Sequence, residues 1–208
     1  MNRKINLLIS IIVSLTYVIL FNITSFAQSC NDIRNNTIRL HIIAQSDDEK
    51  DQLIKYQIRD SILKKYSDVF KEVTNIQDAE EKLISEKDSI QQFVNRKLSE
   101  YGVKYSAEIT VEKEYFNTRK YENGIILPAG EYLALKINLG ESKGENWWCI
   151  IFPALCLPAA DINSNTIENV YSDQSEKIIK SSQRYEIRFK IIEYIEKTKQ
   201  LVDKQHQG

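Results

Sequence analysis

The N-terminus carries an apolar run that has to leave water, and this run limits what the rest of the chain can be. The stretch Ile5–Phe21 holds no charged side chain and follows two basic residues, Arg3 and Lys4. Small residues then frame Ser25–Ala27, which is the form of a signal peptidase site. We therefore predict a signal peptide over residues 1–27, with an uncleaved membrane anchor as the alternative. This segment is the only predicted membrane contact.

The composition beyond the leader is that of one folded domain of ordinary size. The chain has 208 residues, of which 42% are hydrophobic and 27% charged, so it can bury a core without help from a metal or disulfides. Its 28 basic and 29 acidic side chains give a formal net charge of -1 and are interspersed. Because the pattern contains no basic face, we do not expect nucleic-acid binding.

The apolar periodicity predicts an α+β fold, with a mostly antiparallel sheet, a helical hairpin packed on one face and a C-terminal helix. The polar residues 28–36 are predicted to form a flexible linker. Alternation over residues 37–44 predicts the first strand, and capping patterns at Ser46 and Asn75 precede two stretches of helical periodicity. Three later stretches alternate or are apolar and predict strands: Tyr105–Phe116, Glu131–Leu139 and Trp147–Phe152.

These elements divide the chain after the leader into two parts. Residues 37–157 are expected to form a single α+β domain. Residues 158–208 are predicted to form a polar connector followed by a C-terminal helix that begins at Arg184. The apolar stripe of this helix is broader than a solvated surface helix needs. It therefore either docks onto the sheet or binds a partner.

The residue pattern offers little for catalysis. There are two histidines, and His206 lies in the terminal tail, where geometry is hard to hold. A nucleophile would thus depend on His41, for which a locally hydrogen-bonded sheet histidine is the favoured interpretation. Glu112 and Glu114 share one strand face, a spacing more typical of solvated positions than of a glycosidase pair. We assign no catalytic residue, metal site or cofactor, and retain a secreted or anchored cell-wall hydrolase using Cys149 or His41 as the alternative.

Three cysteines remain to be explained. In an exported chain, Cys149 and Cys156 are predicted to form a disulfide, with two free thiols as the alternative. If residues 149–156 were extended, they would span about 23 Å, whereas a disulfide needs the two Cα atoms within about 7 Å. Pro153 provides the required bend. Closing so short a loop stabilises by ~2.5 kcal/mol. The spacing does not fit a zinc knuckle. Cys30 is predicted to be exposed and unpaired.

The chain's two tryptophans are adjacent, so they point to opposite faces of the last predicted strand. Both faces of this strand are apolar, which predicts a strand that is central or covered on both sides. One tryptophan is interpreted as core. The other, together with the bent loop that follows, is interpreted as an aromatic anchor for a partner. The predicted partner-binding residues are Trp147, Trp148, Phe152 and Pro153.

Three segments together resemble the stage II sporulation protein R family. They are IRLHIIAQSDDEKDQLIKYQIRDSIL, LPAGEYLALKINLGESKGENWWCIIFPALC and QRYEIRFKIIEYIEK. The positions that fit the family pattern include Arg39, Ser46, Asp47, Asp51, Gln52, Lys55, Arg59, Asp60, Gly140, Gly144, Trp147, Trp148, Cys149, Phe152, Pro153 and Cys156. Gln45 departs from the pattern, since the family usually has asparagine there. The capping residues that follow it are retained.

The resemblance implies a signalling protein rather than an enzyme. Proteins of this family are secreted from the forespore into the space between the forespore and mother-cell membranes. There they trigger a membrane-embedded aspartic protease of the mother cell, which processes pro-sigma-E during endospore formation. On this basis residues 37–157 are expected to be the signalling domain.

Overall fold

The computed structural model describes residues 3–71, 73–121, 124–153, 167, 170–180 and 185–206. Within these ranges the helices are α1 (Arg3–Asn35), α2 (Glu49–Lys71), α3 (Ile76–Glu100), α4 (Asp173–Lys180) and α5 (Glu186–His206). The strands are β1 (Ile38–Ile43), β2 (Ala107–Phe116), β3 (Arg119–Lys120), β4 (Ile126–Leu127), β5 (Gly130–Leu139) and β6 (Asn146–Phe152).

Four strands form the main sheet in the order β2-β5-β1-β6, while β3 and β4 pair separately. β1 is parallel to β5 and antiparallel to β6, and β2 is antiparallel to β5. The α+β class is therefore confirmed, but the sheet is mixed rather than mostly antiparallel. The parallel pair forms because α2, α3 and β2 lie between β1 and β5 along the chain, and so long a connection can cross over.

The α2–α3 hairpin covers one face of the sheet, as predicted. The Asn75 side chain caps α3 by accepting from the Asp78 amide at 2.9 Å. Gly102, with φ of 71°, follows the helix in the left-handed conformation that glycine adopts easily. The predicted apolar stripe of α3 packs against β1, β2 and β5: Tyr101 is half-buried, and the other members, Ala79, Leu83, Ile90, Val94 and Leu98, are buried.

The start of α2 differs in detail from the predicted capping box. Ser46 Oγ accepts from the Asp48 amide at 3.2 Å and donates to the Asp51 carboxylate at 2.7 Å. The reciprocal partner of Ser46 is therefore Asp51 rather than Glu49. Because α2 begins at Glu49, Ser46 lies too early in the chain to be the residue that caps it.

The opposite face of the sheet is covered partly by residues predicted to be a linker. α1 continues through residues 28–35 as helix, so the flexible linker is not observed there. Cys30, predicted to be exposed, is fully buried. The buried Arg34 of this segment has polar partners. It donates to the Ala129 carbonyl at 2.7 Å and pairs with Glu196 at 3.5 Å.

The C-terminal helices pack on the same face. α4 lies within the predicted polar connector, yet it buries Ile178 and Ile179. α5 buries Phe189 and Ile192 in a cluster shared with α1 and with Ile150 of β6. Of the two interpretations of the terminal helix, docking onto the fold is thus the one observed. The connector between residues 154 and 166 lies outside the described residues.

The first part of α1 stands apart from this packing. Its apolar window has a mean hydropathy of 2.3 and none of the window is buried. A helix of this length and composition fits a signal peptide or a membrane anchor.

Candidate partner-binding surface around the paired tryptophans

β6 is the last strand in the order of the main sheet and places the two tryptophans on opposite faces. Trp147 pairs across the strands with Ile42, and Trp148 with His41. Both indoles are half-buried. Neither tryptophan is therefore a fully buried core residue, and each contributes part of its ring to the surface.

Trp147 lies against helix α2. Its ring meets Tyr56 edge-on, with ring centroids 5.5 Å apart. The Arg59 guanidinium lies 4.5 Å from the Trp147 centroid and 5.1 Å from that of Tyr56. Tyr56 and Arg59 are three residues apart and so share one helix face. A guanidinium over an exposed indole stabilises by ~0.5–1 kcal/mol, so these contacts hold the ring in one position.

A buried lysine ties α2 to the loop that precedes β6. Lys55 is 1% exposed. Its ammonium donates to Gln52 Oε1 at 2.6 Å and to the Glu145 carbonyl at 3.1 Å. Burial lowers the pKa of the Lys55 ammonium, with Glu145 and Asp47 acting in the opposite direction. Asp47 also accepts from the Glu145 amide at 2.7 Å. These two hydrogen bonds fix Glu145, the last residue of the loop before β6.

Two glycines let this loop approach the end of β1 closely. A Cβ on Gly144 would overlap the Ser46 carbonyl group, and one on Gly140 would overlap the Gln45 side chain. Gly140 also has a φ of 56°, which side chains rarely adopt. The family-pattern residues at 46–55 and at 140–147 therefore meet in space, although they are about ninety residues apart.

Trp148, on the other face, rests on a polar network. Its ring stacks on His41 with centroids 5.5 Å apart, and the Arg119 guanidinium lies 3.9 Å from its centroid. His41 Nδ1 contacts the Glu114 carboxylate at 2.8 Å, and Nε2 contacts Asn146 Oδ1 at 2.7 Å. Both ring nitrogens are thus engaged locally, which agrees with the interpretation of His41 as a hydrogen-bonded sheet residue.

The sequence pattern predicts a solvated Glu114, whereas the structure gives its carboxylate a partner in His41. Burial alone would raise the pKa of its carboxyl group, but the His41 ring and Lys136 outweigh that effect, so the pKa lies below its ordinary value. Lys136 Nζ is 3.6 Å from the Glu114 carboxylate and 3.5 Å from that of Glu112. Glu112 remains the more exposed of the two carboxylates, at 48% against 21%.

Arg39 lies beneath this face and is fully buried. Its guanidinium carbon is 4.3 Å from the Phe116 centroid and 5.0 Å from that of Tyr132. Nε donates to the Cys149 carbonyl at 3.2 Å, and Nη2 to the Tyr121 hydroxyl at 2.6 Å. Burial raises the pKa of Tyr121, with Arg39 opposing it. Arg39 thus links β1, β6 and the segment before the β3–β4 turn.

The remaining predicted contact residues lie deeper. Phe152 is 1% exposed and Pro153 is also buried, so neither presents a surface to a partner. Cys149 is buried in β6. Its predicted disulfide partner, Cys156, lies outside the described residues, so this pairing stays a prediction.

The described residues contain no group of three or more histidine, cysteine or acidic side chains arranged to hold a metal ion. What the arrangement does offer is rigid aromatic and cationic surface on the two faces of one strand. Arginine and tryptophan are the residue types that most often dominate protein–protein binding energy.

Comparison with known families identifies the family of this chain. The model of the family described as stage II sporulation protein R matches residues 34–164, more than half of the chain. The chain belongs to the stage II sporulation protein R family. A curated relative, stage II sporulation protein R of Bacillus subtilis (strain 168), is 37% identical over 124 residues. That match covers 60% of this chain and 55% of the relative. No solved structure matches.

For this member of the stage II sporulation protein R family, sequence reasoning missed several residues of the surface. Tyr56 and Arg119 were not assigned a role, yet they contact Trp147 and Trp148 respectively. Tyr56 had a local signal, because it lies one turn before the family-pattern residue Arg59. Arg119 had none, since its approach to Trp148 depends on how the β3–β4 pair folds back over the sheet.

Proposed function

We propose that the chain is an exported sporulation signal that triggers a membrane-embedded aspartic protease of the mother cell, leading to processing of pro-sigma-E. Membership of the stage II sporulation protein R family supports the sporulation role. The apolar part of α1 supports export of the chain. The destination proposed for it is the space between the forespore and mother-cell membranes.

The observation that carries the proposal is the half-exposed Trp147 ring, held by Tyr56 and Arg59 on a helix that Lys55 ties to the neighbouring loop. An anchor that is already ordered loses little conformational entropy when a partner binds it. A ligand activates an enzyme by binding its active conformation more tightly than its inactive one. A rigid aromatic patch supplies such a preference through shape, without chemistry of its own.

The test is a reconstituted processing assay. The protease and pro-sigma-E are co-expressed with the exported chain, either wild-type or carrying Trp147→Ala or Trp148→Ala. We expect processing with the wild-type chain and a large loss with Trp147→Ala. The matched control is Ile84→Ala on α3, which removes a side chain that is 56% exposed and should leave processing unchanged. Circular dichroism establishes that each variant folds.

The outcomes separate the proposal from the hydrolase alternative. Processing that is absent with every form, including wild-type, contradicts direct activation. His41→Gln keeps a polar side chain between Glu114 and Asn146 and removes the imidazole. A signal should tolerate this change if the chain folds, whereas a hydrolase that uses His41 should lose release of cell-wall fragments.

We also propose that Cys149 and Cys156 form a disulfide in the exported chain, as export and the intervening Pro153 predict. Cys149→Ser and Cys156→Ser should then have similar effects on stability, because either change removes the same bond. Thiol titration of the folded exported protein measures the pairing directly. Finding both cysteines reactive would contradict it.

A further inference from the structure

The outer edge of β2 is paired along its first half by side chains of α3. β2 lies at one end of the strand order and β6 at the other, so this edge is separate from the tryptophan surface. The Ala107 amide donates to Asn95 Oδ1 at 2.7 Å, and the Ile109 amide donates to Gln91 Oε1 at 3.2 Å. Both amides therefore point away from β5, and two side chains take the place of a neighbouring strand.

The second half of the same edge lacks such partners. Alternate residues of an antiparallel strand direct their backbone groups to the same side, and the register of β2 on β5 continues without a bulge. Val111, Lys113 and Tyr115 therefore point outward as Ala107 and Ile109 do. Within the described part of the chain, no backbone hydrogen bond reaches these three residues from outside the sheet. Residues 111–115 are the open half of the edge.

The pairing stops because α3 has no further acceptor in the right place. Asn95 and Gln91 are four residues apart and lie on one face of the helix, and the next position in that row is Lys87. An ammonium group donates hydrogen bonds but cannot accept one from a backbone amide. Lys87 and Lys113 both lack an ion pair among the described residues. The open half therefore has unpaired positive charge beside it.

A cleft borders the open half. Its volume is about 480 Å³, and its lining includes Lys113 and Tyr115, the start of α3, the C-terminal end of α1 and the second half of α5. The Tyr115 hydroxyl is buried and has no hydrogen-bond partner within the described residues. Burial raises the pKa of Tyr115, and Glu193 and Glu196 act in the same direction. The hydroxyl thus stays protonated at neutral pH and is a donor without an acceptor.

We propose that the open half of β2 binds an extended peptide segment of another protein, which adds to the sheet as a further strand and places a carboxylate side chain beside Lys113 and Tyr115. Backbone pairing supplies affinity in this mode of recognition, and side-chain contacts supply specificity. A carboxylate accepts from both the Lys113 ammonium and the Tyr115 hydroxyl. The carboxylates that line the cleft, Glu80 and Glu131, lie on α3 and β5 rather than on the edge strand.

A second copy of the chain does not fit this edge. Two copies of β2 related by a two-fold axis would pair about residue 112, 113 or 114, the centres available within the open half. Pairing about Lys113 sets this lysine opposite itself and Glu112 opposite Glu114. Pairing about either glutamate sets that glutamate opposite itself. Like charges directly opposite each other destabilise a strand pair, so the occupant is a different chain.

The test is the binding of labelled peptides to the full-length chain in detergent, measured by fluorescence anisotropy. The probe alternates threonine and valine and carries one central glutamate; the matched probe has lysine in that place. We expect wild-type chain to bind the glutamate peptide about tenfold more tightly than the lysine peptide. Lys113→Glu should reverse this preference. Lys104→Glu is the control, because it changes an exposed lysine that precedes β2, and it should leave the preference unchanged.

Three results overturn the proposal: no binding of the glutamate peptide, equal binding of the two peptides by wild-type chain, or a preference that Lys113→Glu does not alter.

Amide hydrogen exchange locates the bound peptide. The glutamate peptide should slow exchange at Val111, Lys113 and Tyr115 by about tenfold. Exchange at Ala107 and Ile109 should not change, since these amides already have acceptors. Slowed exchange confined to β6 places the peptide elsewhere and overturns the proposal. Neither measurement involves the protease or pro-sigma-E, so its result is independent of the proposed function.

Discussion

The two tryptophans are neighbours in the sequence, but their rings are supported by different kinds of elements. Trp147 is held by Tyr56 and Arg59, two side chains of a single helix. Trp148 is held by His41 and Arg119, which come from two different strands. The position of the Trp147 ring therefore depends on how the single helix α2 packs on the sheet. The position of the Trp148 ring depends on the order and register of the strands. The following substitutions test this difference.

The largest effect is expected from Lys55→Met, which removes the tie between α2 and the loop before β6. The Gln52 side chain and the Glu145 carbonyl would lose their shared charged donor, and a hydrogen bond to a charged group contributes about 1.5–3 kcal/mol. We expect the free energy of unfolding to fall by about 3 kcal/mol. Urea unfolding followed by tryptophan fluorescence measures it.

Lys50→Met is the control for this prediction, because Lys50 is exposed on the same helix. It should change the free energy of unfolding by less than about 0.5 kcal/mol. Equal effects of the two substitutions would show that the Lys55 contacts do not stabilise the site.

The second effect concerns the Trp147 ring itself. Trp147→Ala should cost about 2 kcal/mol, less than for a fully buried ring because the side chain is half-buried. Trp147→Phe should cost under about 1 kcal/mol, since the indole Nε1 has no hydrogen-bond partner among the described residues. Thermal unfolding distinguishes the two variants. A phenylalanine variant as unstable as the alanine one would mean that the indole N–H is essential.

The third prediction tests the Trp148 side through pH. The pKa of the Glu114 carboxyl lies below its ordinary value in the folded chain, so its contribution to stability is present at neutral pH. That contribution is lost as the pH falls through the folded-state pKa. Glu114→Gln should therefore be less stable than wild-type above about pH 5. The difference should shrink as the pH falls below the carboxyl range. Unfolding measured across pH 3–8 checks this, and a difference that grows in acid would contradict it.

The smallest effect is expected from Arg119→Met, which removes a cation from the Trp148 ring while keeping an apolar side chain. We expect a loss of ~0.5–1 kcal/mol, the usual value for a cation over an aromatic ring near the surface. Trp148 fluorescence in a Trp147→Phe background reports the change directly. Arg119→Lys should keep part of the effect, and a lysine variant identical to the methionine one would contradict the electrostatic origin.

Local patterns predicted a large share of the fold correctly. The cap at Asn75, the buried stripe of α3 and the left-handed Gly102 are all observed, because each depends on residues within one or two helical turns. The opposite orientation of Trp147 and Trp148 follows in the same way from the two-residue period of a strand. The linker prediction was wrong since its polar residues find partners, such as Ala129 and Glu196 for Arg34, that are remote in the chain.

The sequence by itself determined the helices α2, α3 and α5, the four strands of the main sheet, the apolar N-terminal run and the family, because periodicity, capping and motif spacing act over short distances. Only the tertiary structure decided the parallel pairing of β1 with β5, the burial of Cys30 and the network of His41, Glu114 and Asn146. In the His41 network, for example, the hydrogen-bond partners of His41 lie 73 and 105 residues away along the chain. They exist only once the strand order is set, since register brings such side chains within hydrogen-bond distance.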